Sequence, residues 1–226
     1  MDPIWSILML LGSAICHQLP ERSYILGDLQ MPLCARCIGI HLGFLLSSLF
    51  LWTGSRRFAS GILEKRAYIV LAVLFFIGCI DAILSYSGLS ESDNLRRTMS
   101  GLLMGTMMPF LIVPLVNRIL FPGRNGRVMF KSCIDWAWLS VICLVGAAMI
   151  LPATTSFFLF SAVSIFSVIG SIVFSFTIIT LLVLVLTDDR GMSGLQRIEI
   201  SIASTFAFMI ALAIVHIMLF PPAWIG

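Results

Sequence analysis

Cys16, His17, Cys34 and Cys37 are the side chains of this chain best suited to chemistry. The run PLCARCIGIH, Pro32 to His41, sets Cys34 and Cys37 around Arg36, with His41 four residues on and the pair Cys16-His17 upstream. Thiolate sulfur and imidazole nitrogen are the ordinary donors to tetrahedral zinc, and soft thiolates also accept copper(I). Cys16, His17, Cys34 and Cys37 are therefore a candidate zinc set. The same sulfurs support redox chemistry. A thiolate at a helix N-terminus beside Arg36 is electrostatically stabilised, and a CxxC dithiol with Cys16 as a third thiol can exchange disulfides, passing electrons to a quinone or a partner disulfide. A structural disulfide or plain buried thiols is the third reading. Spacing alone leaves all three open. Cys79, Cys133 and Cys143 stand apart and read as packing residues.

A second constellation surrounds Asp81, a carboxylate inside an apolar run. Such a group is costly in a membrane and marks function, as a salt-bridge partner, a proton acceptor or a cation ligand. Downstream, Asn94, Arg97, Gly101 and Gly105 recur at spacings of three and four, one stripe of a helix that Ser90, Ser92 or Asp93 can cap. An arginine fork there suits a phosphate or carboxylate headgroup. Glu21 and Arg22 can complete a polar cap, while Arg96 with Glu91 and Asp93 also reads as a solvated loop end. The catalytic candidates are Asp81, Arg97 and Glu21. The ligand-binding candidates are Asn94, Arg97, Arg22 and Arg36. His216 reads as a packed interfacial histidine.

The elements that must position these groups are membrane helices. Of the 226 residues 59% are hydrophobic and 11% charged, far too few charges to cover a soluble domain. Seven apolar segments can be drawn, at 3–19, 33–53, 67–86, 98–119, 134–152, 156–186 and 198–220. The sixth is long enough to require tilt or a break near Gly170. Asp2 and Pro3, in place of a basic start, argue for an uncleaved first span rather than a signal peptide. With seven spans, Arg56, Arg57, Lys65, Arg66, Arg118, Arg124, Arg127, Lys131, Arg190 and Arg197 fall on one side, against Arg22, Arg36, Arg96 and Arg97 on the other. The positive-inside rule then puts the N-terminus in the cytoplasm and the C-terminus outside. A six-span alternative with a re-entrant first segment moves only the N-terminus. Either way, Cys16, His17, Cys34, Cys37, His41, Asp81 and His216 converge on the outer stratum. On a helix, positions 34, 37 and 41 share one face. Gly39 with Gly43 and Gly101 with Gly105 form two GxxxG pairs through which the second and fourth spans can meet.

The chain reads as one integral domain, 1–226, with motif-bearing helices over 1–120 and scaffold helices over 121–226. The net charge of +3 lies in short loops, so nucleic acid is not implied. No Walker loop, HExxH or GxSxG is present, nor a transporter-like inverted repeat.

CHQLPERS, Cys16 to Ser23, and PLCARCIGIHLG, Pro32 to Gly43, resemble the signature of a family of small prokaryotic integral membrane proteins, a domain of unknown function. The later Asp81, Asn94, Arg97 and Gly101 resemble its third, looser block, so the likeness covers roughly 14–106. It implies that Cys16, His17, Glu21, Arg22, Cys34, Arg36 and Cys37 form one recurrent unit, and it brings no activity. The family typically carries tyrosine where this chain has His41, which sets His41 apart from that unit. The expectation is an all-α, seven-span protein of the cell membrane with a Cys/His metal site on its extracytoplasmic face. The alternatives are a thiol-disulfide oxidoreductase and a lipid-headgroup enzyme or carrier, with lipid or quinone as possible ligand.

Overall fold

A computed structural model describes residues 3–53, 64–120, 128, 130, 133–151, 155–187 and 193–219. The readings placed on Arg56, Arg57, Arg124, Arg127, Lys131, Arg190 and the His216 side chain lie outside the described residues. Among them the chain forms seven helices: α1 (Pro3–Ser13), α2 (Ala35–Leu51), α3 (Lys65–Tyr86), α4 (Asn94–Leu120), α5 (Cys133–Ile150), α6 (Phe157–Thr187) and α7 (Gly194–Leu219). Five of them, α3 to α7, are long and apolar enough to cross a membrane, and α1 and α2 are shorter apolar helices. Between α1 and α2 lie a 3-10 turn at Pro20–Arg22 and a small antiparallel hairpin, β1 (Ile25–Leu26) with β2 (Leu29–Gln30), which the all-helical reading did not contain. Gly27, at φ +59°, supplies the left-handed backbone of its two-residue turn.

Helix α2 is the hub, packed against α4 most extensively and also against α5 and α6. In lipid there is little hydrophobic drive between helices, so close backbone approach must hold them. The glycines provide it. A Cβ at Gly39 or Gly43 would run into the α4 backbone at Thr98 and Leu102, and one at Gly101 or Gly105 into the α2 carbonyls of Arg36 and Ile40. The expected α2–α4 meeting is therefore present, and the pairs 36 with 101 and 40 with 105 make the two helices parallel. Helix α6 adds a stripe of buried small residues, Ser164, Ser167, Gly170, Ser171 and Ser175.

Two expectations are revised. Of the tilt or break near Gly170, the break is absent, since helix α6 runs 31 residues unbroken. Gly170 is there for contact: a Cβ would strike the His41 carbonyl of α2. Helix α1 ends at Ser13, not near residue 19, and Ser13 Oγ donates to the Leu10 carbonyl at 2.7 Å.

Candidate functional site

The chain between α1 and α2 has little regular structure, so its backbone groups need other partners. Gln18 and Gln30 supply several. Gln18, at φ 51°, turns the chain back, and its Nε2 donates to the carbonyls of Met9 (2.7 Å) and Pro32 (2.9 Å). Gln30 Nε2 donates to the Gln18 carbonyl at 2.7 Å, and Trp5 Nε1 of α1 to the Gln30 carbonyl at 3.1 Å. The segment is tied to α4 by Asn94, whose Nδ2 donates to the Ser23 carbonyl (3.0 Å), and by a Tyr24–Thr98 hydroxyl pair (2.9 Å). Burial pushes the Tyr24 phenol up, with the Thr98 bond opposing.

This framework brings three sulfurs together. The Sγ atoms of Cys16, Cys34 and Cys37 all lie within 4.8 Å of one another. Cys16 is buried beyond the end of α1, Cys34 is the N-cap of α2, and Cys37 is one turn inside. The backbone N–H of Cys34 donates to Cys16 Sγ at 3.1 Å, and that of Gln18 at 3.5 Å. The sulfurs are free thiols, and the three could hold a metal ion.

The histidines expected beside the sulfurs are elsewhere. His17 is exposed and outside the cluster, because α1 has ended and the chain reverses at Gln18. His41 is buried and packs edge-on against Phe174 of α6, its ring centroid 5.5 Å away. Sharing a helical face with Cys34 and Cys37 did not suffice, since α6 takes that deeper turn. Cys133 is exposed, and Cys79 and Cys143 are half-buried.

Asp81 is a salt-bridge hub. Its Oδ2 accepts from Arg36 Nη2 and from Ser100 Oγ, and its Oδ1 from Arg96 Nε, each at 2.7 Å. Of the three roles expected of Asp81, these contacts are those of the salt-bridge partner. Arg36, between the cysteines, thus anchors the thiol-bearing turn to α3 and α4. The arginine of α4 that reaches Asp81 is Arg96, not Arg97, whose Nη1 donates to Asn94 Oδ1 at 3.3 Å. Asp93 Oδ1 caps α4 through the Arg96 N–H at 2.7 Å. The Tyr86 ring lies under two guanidiniums, Arg22 at 4.7 Å and Arg36 at 5.7 Å from its centroid. Glu21 is exposed on the 3-10 turn.

Gln18, Gln30, Tyr86 and Ser100 escaped the sequence reading. Only Gln18 carried a signal, by adjoining Cys16-His17 in the CHQLPERS block. An apolar groove of about 680 Å³, whose walls include Cys16, His17, Phe174, Leu182 and Leu212, adjoins the thiols between the end of α1 and helices α6 and α7.

Comparison with known proteins matches residues 16–111 to a family model described as predicted membrane protein, DUF2085. An uncharacterized protein of Methanocaldococcus jannaschii is 28% identical over 109 residues, 48% of this chain and 68% of its own. An uncharacterized protein of Methanothermobacter thermautotrophicus is 33% identical over 107 residues, 47% of this chain and 91% of its own. No solved structure matches.

Proposed function

The chain belongs to the DUF2085 family of predicted membrane proteins, and from that premise we propose that it is a multi-pass cell-membrane protein that binds a soft metal ion, zinc foremost, at Cys16, Cys34 and Cys37. The carrying observation is the approach of the three sulfurs within 4.8 Å. Zinc–sulfur bonds of about 2.3 Å place tetrahedral sulfurs about 3.8 Å apart. Closing the trio onto an ion is thus a movement on the order of an ångström. Three protein donors leave a fourth coordination position for water or a substrate atom, the arrangement of catalytic rather than structural zinc. Backbone N–H groups on Cys16 Sγ would orient that ligand and temper its charge. His17 remains a fourth donor only if the turn at Gln18 rearranges.

The test is metal analysis of the purified full chain. About one equivalent is expected, lost in Cys34→Ser and retained in Cys79→Ser; a metal-free chain with all three thiols reduced refutes the reading.

The apolar groove beside Cys16 favours a second reading, thiol oxidation by a quinone. Two thiols would become a disulfide while two electrons and two protons reduce the quinone to a quinol. Mass spectrometry of alkylated cysteines decides it: a Cys34–Cys37 or Cys16–Cys34 disulfide must form when quinone is added.

A further inference from the structure

Two guanidiniums, Arg36 and Arg96, hold a single carboxylate, Asp81, at the mouth of the bundle, and a third, Arg22, stands beside them over Tyr86. Other acids are near in sequence but spent or turned away. Asp93 caps α4, and Glu91 offers Arg96 its carbonyl; among the described residues neither they nor the exposed Glu21 forms an ion pair with these arginines. The donors are not used up either. Arg36, with a side chain 8% exposed, keeps a buried Nε with no hydrogen-bond partner, and Arg97, next to Arg96 on α4, does likewise. Arg22 is half-buried, 4.7 Å from the Tyr86 ring centroid, and forms no ion pair among the described residues. Arg96 is 45% exposed, so the array opens outward.

An excess of positive charge held partly out of water costs free energy unless an anion matches it, and forked guanidinium donors match tetrahedral oxyanions. We propose that Arg22, Arg36 and Arg96, walled by Tyr86, bind a phosphate-bearing anion. Phosphate and a phospholipid headgroup share that chemistry. The site shares the first turn of α2 with the thiol cluster through Arg36 but uses none of the thiols and no metal.

The test is calorimetric titration of the full chain in neutral detergent and phosphate-free buffer. The probes are inorganic phosphate, dioctanoyl phosphatidic acid, and dioctanoylglycerol as the phosphate-free control. Saturable binding of phosphate supports a site for the free anion, and binding of phosphatidic acid alone supports a lipid headgroup. Arg22→Gln and Arg96→Gln should each weaken that binding about tenfold or more, the loss of a charge-assisted contact. Arg66→Gln, in the first turn of α3 at the opposite end, should leave it unchanged. Arg22→Gln leaves both ion pairs of Asp81 intact, so it carries the test if Arg96→Gln does not fold. The proposal is overturned if neither phosphate probe binds, if dioctanoylglycerol binds as well as phosphatidic acid, if Arg22→Gln binds like the wild type, or if Arg66→Gln weakens binding equally.

Discussion

Asp81 joins three elements through one buried carboxylate. It accepts from Arg36, Arg96 and Ser100, and the Arg36 and Asp81 side chains are only 8% and 10% exposed. Removing one partner of such a pair leaves the other desolvated and unmatched, at a cost of about 3–5 kcal/mol. Asp81→Asn is expected to lower stability on that scale, read as the unfolding midpoint in detergent, whereas Asp93→Ala should cost only about 1 kcal/mol as a lost cap. Asp81 was conspicuous in the sequence because it interrupts an apolar run. Its partner was not, because Arg96 and Arg97 are adjacent and which one faces α3 depends on the rotational phase of α4. The cysteines were legible for the opposite reason. Positions 34 and 37 must share a helical face, and Cys16 is delivered to them by a short connection. His17 lies outside the three-sulfur group because the backbone turns at Gln18.

At the level of elements, the α2–α4 contact is the joint on which both sites depend. It places Arg36 over Gly101 and holds the thiol-bearing first turn of α2 beside the start of α4. A methyl group at Gly105 would meet the Ile40 carbonyl, an immovable neighbour. Gly105→Ala is expected to destabilise by about 1–3 kcal/mol as the helices part, and to weaken metal retention with all three cysteines present. Thermal unfolding and metal content of the same sample check both. This contact could be read from two GxxxG pairs, since only close backbone approach needs them. The end of α1 could not. Ala14, Ile15, Cys16 and Leu19 continue the apolar run, but Ala14 and Cys16 are buried in protein, and hydropathy does not distinguish burial among helices from exposure to lipid. Gly170 was misread for a related reason: a glycine inside a long helix signals a break and a close contact equally well.

For the whole molecule, the directions of the helices gather the thiol cluster, the arginine array and the α3–α4 turn at one end. Helix α1 belongs to that end along its length. Trp5, near its start, bonds to Gln30, and a Cβ at Gly12, near its finish, would meet the Pro32 carbonyl. An 11-residue helix rises about 16 Å, roughly half the ~30 Å hydrocarbon layer. The six-span alternative with a re-entrant first segment is tested by the side on which the N-terminus lies. With six spans a reporter fused to the N-terminus lies on the same side as a label at Asp28→Cys, and opposite a label at Lys65→Cys. The positive-inside rule makes the Asp28 side external, so a membrane-impermeant maleimide on intact cells should reach only that cysteine. An N-terminal reporter found with Lys65 marks seven spans. The bridging of Cys34 by its backbone N–H to Cys16 Sγ has a further consequence. An ion shared by those two residues would close the intervening stretch into a ring, and a ring of that size removes about 3 kcal/mol of chain freedom from the unlinked state. Stripping the ion should therefore open the ring before it melts the bundle, and trypsin, cutting after Arg22, should report the loss while α3 to α7 remain whole.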